Sequence, residues 1–159
     1  MGIKKLNWYP LADGLVDFLK NYTYKDGTHL FEYFIDYDSL KITVGHANAG
    51  EYPLINVLFG DETDAQFPNN ISGATVQMHI DIFVKCADND DVDKTKIMYT
   101  QLYKAEKEIL ECMSKYSKLM EKQTGTAINT VLQGVLSDGD ENMPATALHR
   151  IVIDFVWRK

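Results

Sequence analysis

The chain has 159 residues, of which 45% are hydrophobic and 25% charged, and its formal net charge is −7. That length is expected to form one domain, residues 1–159, with enough chain to bury a sizeable core. The acidic balance argues against a protein that wraps nucleic acid, which needs clustered Lys and Arg, and no apolar run approaches a bilayer span.

Met1 to Asn7 carries two lysines with no apolar segment behind them, so it is not a secretion signal and a reducing cytoplasm is expected. Cys86 and Cys112 then read as small core residues rather than a disulfide. Pro10 sits near the first position of a helix, where its missing N–H costs nothing. Leu11, Leu15, Phe18, Leu19 and Tyr22 form one apolar helical stripe, and Lys25-Asp26-Gly27 is a turn that stops it.

Residues 29–37 are open between strand and helix. Phe31, Tyr33, Ile35 and Tyr37 alternate with Glu32 and Asp36, while Leu30 and Phe34 blur the pattern. Asp38-Ser39 turns the chain into Leu40, Ile42 and Val44, which alternate with polar residues. Gly45 to Gly50 is a loop. Tyr52 to Gly60 is a mostly apolar, well-buried strand with Pro53 at its start or on an edge. Asp61, Glu62 and Asp64 follow in a long loop after Gly60.

The clearest strand puts Val76, Met78, Ile80, Ile82 and Val84 on a buried face and Gln77, His79, Asp81 and Lys85 on a wet one, with Phe83 the exception. An acidic turn (Asp88, Asp90, Asp91, Asp93) leads into a long helix at about 91–120. Met98, Leu102, Ala105, Ile109, Cys112, Tyr116 and Leu119 form its stripe. Aspartates stand at its positive end and Lys115, Lys118 and Lys122 near its negative end, and Gly125 closes the segment.

Two strands end the chain. Ile128, Thr130, Leu132, Gly134 and Leu136 alternate with Asn129, Val131, Gln133 and Val135. A polar loop from Ser137 to Pro144 follows, and Ile151, Ile153, Phe155 and Trp157 then oppose Arg150, Asp154 and Arg158. The expected fold is α+β: an antiparallel sheet of about 4–6 strands, packed by one long helix and a shorter N-terminal helix, in the order α-β-β-β-α-β-β.

Residue chemistry gives no catalytic, cofactor or metal site. Asp88 to Asp93 fails the EF-hand template. Asp138, Asp140 and Asn142 match its first three ligands, but Met143 and His149 occupy its glycine and glutamate positions. His29, His46, His79 and His149 lack metal-ligand spacing, and nucleophile elbows and phosphate-binding glycine loops are absent. The expectation is a non-enzyme. Aromatics crowd the first 40 residues (Trp8, Tyr9, Tyr22, Tyr24, Phe31, Tyr33, Phe34, Tyr37), either packing the first helix onto the sheet or forming an inter-subunit patch.

The element order, with the strand Tyr52 to Val57, the strand Val76 to Cys86 running into the long helix, and the closing strand Arg150 to Arg158, resembles the tail terminator (tail completion) proteins of long-tailed bacteriophages and prophages. The resemblance covers Pro10 to Trp157 and rests on layout rather than on a diagnostic motif. It implies a hexameric ring of the chain that caps the tail tube and docks to head–tail connector proteins. DNA touches it only in passing through the bore, and no membrane is involved. The protein would reside in the host bacterial cytoplasm during assembly and then in the virion tail. Asp61, Glu62 and Asp64 would face the lumen or a neighbouring subunit. The alternatives are a stand-alone α+β module that binds a protein or ligand through its aromatic N-terminal region, or another head–tail joining (neck) protein.

Overall fold

The computed structural model describes residues 7–24, 26–29, 31–32, 40–45, 53–85, 92–138 and 146–158. Its elements run α1 (Trp8–Asn21), β1 (Lys41–Val44), β2 (Leu54–Phe67), β3 (Ile71–Lys85), α2 (Val92–Thr124), β4 (Ile128–Asp138) and β5 (Thr146–Arg158). This is the expected α+β order. Among the described residues, the strands form one sheet in the order β1-β2-β3-β5-β4.

Asn7 caps α1 by accepting the Tyr9 backbone N–H at 3.0 Å. Pro10 lies at the third helical position, still among the first four residues whose N–H groups lack an intrahelical acceptor. The helix buries Leu11, Ala12, Leu15, Val16 and Leu19, while Phe18 and Tyr22 are half-buried at its flank. It ends at Asn21, before the turn at Gly27, where φ is +86°.

α2 is 33 residues long, about 50 Å at 1.5 Å per residue. Met98, Leu102, Ala105, Ile109, Cys112 and Tyr116 are buried as the stripe required, but Leu119 is 39% exposed and Met113 and Met120 are buried. A strict heptad stripe drifts by about 20° per seven residues on a 3.6-residue helix. By the third heptad the drift has carried Leu119 off the seam and Met120 onto it. Cys112 is a free, buried thiol, as expected; Cys86 lies outside the described residues.

Both helices pack on one face of the sheet, α1 over β1, β2 and β3 and α2 over β3, β4 and β5. The core between them joins Ile55 and Val57 of β2, Val76, Met78, Ile80 and Ile82 of β3, and Ile151, Ile153 and Phe155 of β5. Tyr116 of α2 reaches across this layer and donates its buried hydroxyl to the Leu11 carbonyl of α1. Burial raises the Tyr116 pKa, so that hydroxyl stays a donor. Gly14 faces the same ring, and a Cβ there would lie 2.9 Å from the Tyr116 hydroxyl oxygen.

The structure corrects four sequence expectations. First, the sheet is mixed: β1 pairs with β2 in parallel, from Lys41↔Leu54 to Val44↔Val57. Strand direction depends on where the connecting chain returns, which alternation does not encode. Second, β2 does not end at Gly60. It continues through Asp61, Glu62 and Asp64 to Phe67, antiparallel to β3. These acidic residues have low strand propensity, but the ladder from β3 overrides it. The turn is instead Pro68–Asn70, with Asn69 at φ 65°, ψ 32° and Asn70 at φ 59°, the left-handed conformations that tight hairpins use. Third, the pairing register shifts between Leu132 and Gly134, so Val135 rather than Gly134 pairs with the buried Ile151; a bulge resets the alternation. Fourth, Asp81 is not on a wet face. It is 2% exposed and directly opposite Arg150, whose Nε and Nη2 donate to its two carboxylate oxygens at 2.7 and 2.9 Å.

Several expectations fall outside the described residues: the strand-or-helix choice at 33–37, the turn at 38–39, the loop at 46–50, the acidic residues at 88–91 and the polar loop at 139–144. Within 29–37, His29 makes an isolated bridge with Thr23, and Phe31 of the aromatic cluster is fully buried.

Candidate interaction surfaces

A sheet of finite width has two edges, and among the described residues each has a long stretch with no paired strand. β1 covers β2 only from Leu54 to Val57. From Leu58 to Phe67, no described strand pairs with the outward side of β2. β4 forms the other edge along its whole length. Unpaired strand edges present rows of N–H and C=O groups that template pairing with another chain.

The two edges differ in chemistry. The open half of β2 carries Asp61, Glu62 and Asp64, all exposed, with no Lys or Arg from Phe59 to Gly73. Beside it, Phe59 is 41% exposed and packs on Trp8 at the start of α1, ring centroids 5.0 Å apart. At the hairpin end, the Phe67 ring covers Gly73, and the Arg158 guanidinium sits 5.2 Å above that ring.

β4 is apolar at its edge: Val131, Leu132 and Leu136 are 44%, 49% and 59% exposed. Between β4 and α2 runs a shallow groove of about 470 Å³, floored by Leu110, Met113, Leu132 and Ile153 and rimmed by Lys118 and Glu121. Glu121 is engaged there, accepting the Ile128 backbone N–H at 2.9 Å, and the Ser117 and Thr130 hydroxyls bond across the same seam. A third exposed apolar set lies on the first half of α2, where Val92, Ile97, Tyr99 and Tyr103 project outward.

The remaining polar contacts tie layers together. His149 Nδ1 lies 2.8 Å from Glu106 Oε2, joining β5 to α2. Lys115 donates to the Tyr22 hydroxyl, joining the helices. Tyr24 hydrogen-bonds Glu108; burial is the main cause that raises both their pKa values, with the nearby carboxylate adding to the rise at Tyr24. Among the described residues, no group of three or more His, Cys, Asp or Glu is placed to hold a metal ion, and no helix is long and apolar enough to cross a membrane.

Sequence reasoning singled out Asp61, Glu62 and Asp64, and the structure brings them together along one strand edge rather than in a loop. It did not single out the apolar β4 edge. The signal was present: Val131 and Leu132 are adjacent and so lie on opposite faces, which a strand with one wet face does not require.

No protein-family model matches the chain, and no curated protein matches it. A solved chain from the virion of a native gene transfer agent (GTA) particle is similar at 10% identity, covering 94% of this chain and 95% of that one, with a TM-score of 0.46.

Proposed function

We propose that this chain is a structural virion protein of the tail-terminator type. Six copies form a ring on the head-proximal end of a phage tail tube, stop its growth and offer a docking face to head–tail connector proteins. The work is capping rather than catalysis, and it needs no cofactor. One ring face matches the tube while the other lacks the surface that adds a further tube ring. DNA passes through the bore without being gripped, in keeping with the net charge of −7.

The observation that carries this reading is the element order. Hairpin β2–β3, the 33-residue α2, then hairpin β4–β5 build one open sheet with helices on a single face. That order is the one on which the resemblance to terminators rests. Among the described residues, strand stretches without a paired neighbour and exposed apolar residues on β4 and α2 supply surfaces for neighbours.

The test is to add the purified protein to polymerising tube protein encoded in the same genome. Tubes that stop growing, with this protein at one end by electron microscopy, support capping. Unchanged tube lengths, with the protein bound to heads alone, assign it to the neck instead.

A further inference from the structure

We infer that the cleft between α1 and α2 docks an arginine side chain carried by a segment of a partner protein. This site is separate from the strand edges and does not depend on the capping role.

The cleft encloses about 560 Å³ between the two helices, within the about 300–1,000 Å³ typical of specific sites. Tyr116 and Met120 of α2 line it from the buried layer, and Gly14 and Phe18 of α1 are half-buried beside them. Glycine is a poor helix former, so its place inside α1 has a packing reason. A Cβ at Gly14 would lie 2.9 Å from the Tyr116 hydroxyl oxygen and 3.6 Å from the Met120 sulfur, and a longer side chain would enter the cleft. At the mouth stand Tyr9 and Leu119, 53% and 39% exposed.

The lining holds two carboxylates, Asp13 and Asp17, and no lysine or arginine. They stand four residues apart on α1, where like charges repel along the helix. Among the described residues, neither carboxylate has an ion-pair or hydrogen-bond partner. Lys20 and Lys41 border the groove on the β1 side of α1, and Lys115 is held by Tyr22. Burial first, and then the charge of Asp13 and Asp17, raise the Tyr116 pKa, so their field reaches the inner wall. A cation entering here removes the repulsion. A neutral or acidic partner would cover the carboxylates with nothing to pair them.

Aromatic rings select the kind of cation. Phe18 lies between Tyr22 and Tyr116, with ring centres 5.3 and 5.5 Å away. Lys115 already takes the Tyr22 end, its ammonium 5.1 Å from that ring centre, while no base lines the Tyr9 end. A guanidinium stacks flat on such rings, and its five donors reach two carboxylates one turn apart. An ammonium is a hydrated point charge that does neither as well. The arginine stem covers apolar surface, and the exposed Tyr9 and Leu119 receive the apolar residues that flank it on a polypeptide. Arginine and aromatic rings are also the residues that interface cores favour.

The test titrates the full chain with acetyl-Leu-Arg-Leu-amide and follows the backbone amides of 9–22 and 116–123 by NMR. One arginine with two apolar neighbours is expected to saturate these signals with a Kd of roughly 1 mM. The neutral, isosteric citrulline peptide should bind about threefold more weakly or worse, and the lysine peptide should also fall below arginine. Asp13→Asn/Asp17→Asn alters only exposed side chains, and its fold is checked by circular dichroism. In that variant the preference for arginine over citrulline should vanish. No saturable shift, a citrulline or lysine peptide that binds as tightly as arginine, or a preference that survives in the double variant would overturn the inference. Spermidine that displaces the arginine peptide at equal concentration would assign the cleft to free polycations and overturn it too. Shifts that appear only after Lys4→Gln/Lys5→Gln would mean that the chain's own lysines take the site, with the same consequence.

Discussion

Replacing Gly73 with alanine probes how the acidic hairpin is held against β5. Gly73 has no left-handed backbone to protect, so the effect is steric. A Cβ there would lie 2.3 Å from Cε2 of Phe67 and 2.4 Å from the Trp157 carbonyl oxygen. The ring can swing away, at the cost of its contact with Arg158, 5.2 Å above it. The carbonyl belongs to β5 and moves only if the β3–β5 ladder opens at Gly73↔Arg158. Overpacking of this kind costs about 1–3 kcal/mol, and the lost cation–π contact adds about 0.5–1 kcal/mol. For a chain of this size, about 1.5–4 kcal/mol corresponds to a fall in Tm of roughly 3–16 °C. The assay is urea and thermal unfolding of Gly73→Ala, Phe67→Ala and the pair. In the Phe67→Ala background the glycine substitution should cost less but still something, because one obstacle is gone and the other remains. A neutral Gly73→Ala, or equal costs in the two backgrounds, would refute the reasoning.

Other expectations follow from the buried polar contacts. Arg150→Ala leaves the 2%-exposed Asp81 without its bidentate partner. Breaking such a pair costs about 3–5 kcal/mol when fully buried, and the 36% exposure of the Arg150 side chain reduces this to about 2–3 kcal/mol by urea unfolding. Asp81→Val with Arg150→Met should return to within about 1 kcal/mol of the parent. Tyr116→Phe removes the hydroxyl bonded to the Leu11 carbonyl and should cost about 1 kcal/mol in the same assay. Burial raises the Glu108 pKa above its ordinary 4.5. The folded state therefore binds the proton more tightly than the unfolded one, and this residue's contribution to stability falls as pH rises from 4.5 through the folded value. Glu108→Gln should match the parent below pH 4.5 and gain relative to it above that window, read from unfolding midpoints across pH; a constant difference would contradict the assignment.

Much of the fold was legible because its strongest elements carry periodic apolar residues: Leu11, Leu15 and Leu19 of α1, the inward residues of β3 and β5, and the α2 stripe from Met98 to Tyr116 bury what their periods require. What was not legible depends on partners. The second half of β2 is a strand because Ile71–Gln77 pairs with it, and no local pattern in Asp-Glu-Thr-Asp announces that. The turn residues Pro68-Asn69-Asn70 did carry a signal, since consecutive asparagines tolerate positive φ. The parallel edge pair β1–β2 comes from how the chain returns to the sheet, and the bulge between Leu132 and Gly134 resets the ladder; alternation is blind to both. The candidate surface was half legible. Its acidic members stood out by charge, while its apolar edge emerged only when Val131 and Leu132 were found exposed on opposite faces of an outermost strand.

The capping role is tested most directly by inactivating this gene in its own genome and imaging the particles released on induction by electron microscopy. The expected result is filled heads without tails alongside free tubes of uncontrolled length, both corrected when the gene is supplied in trans. Tailed particles of normal length in its absence would contradict the account.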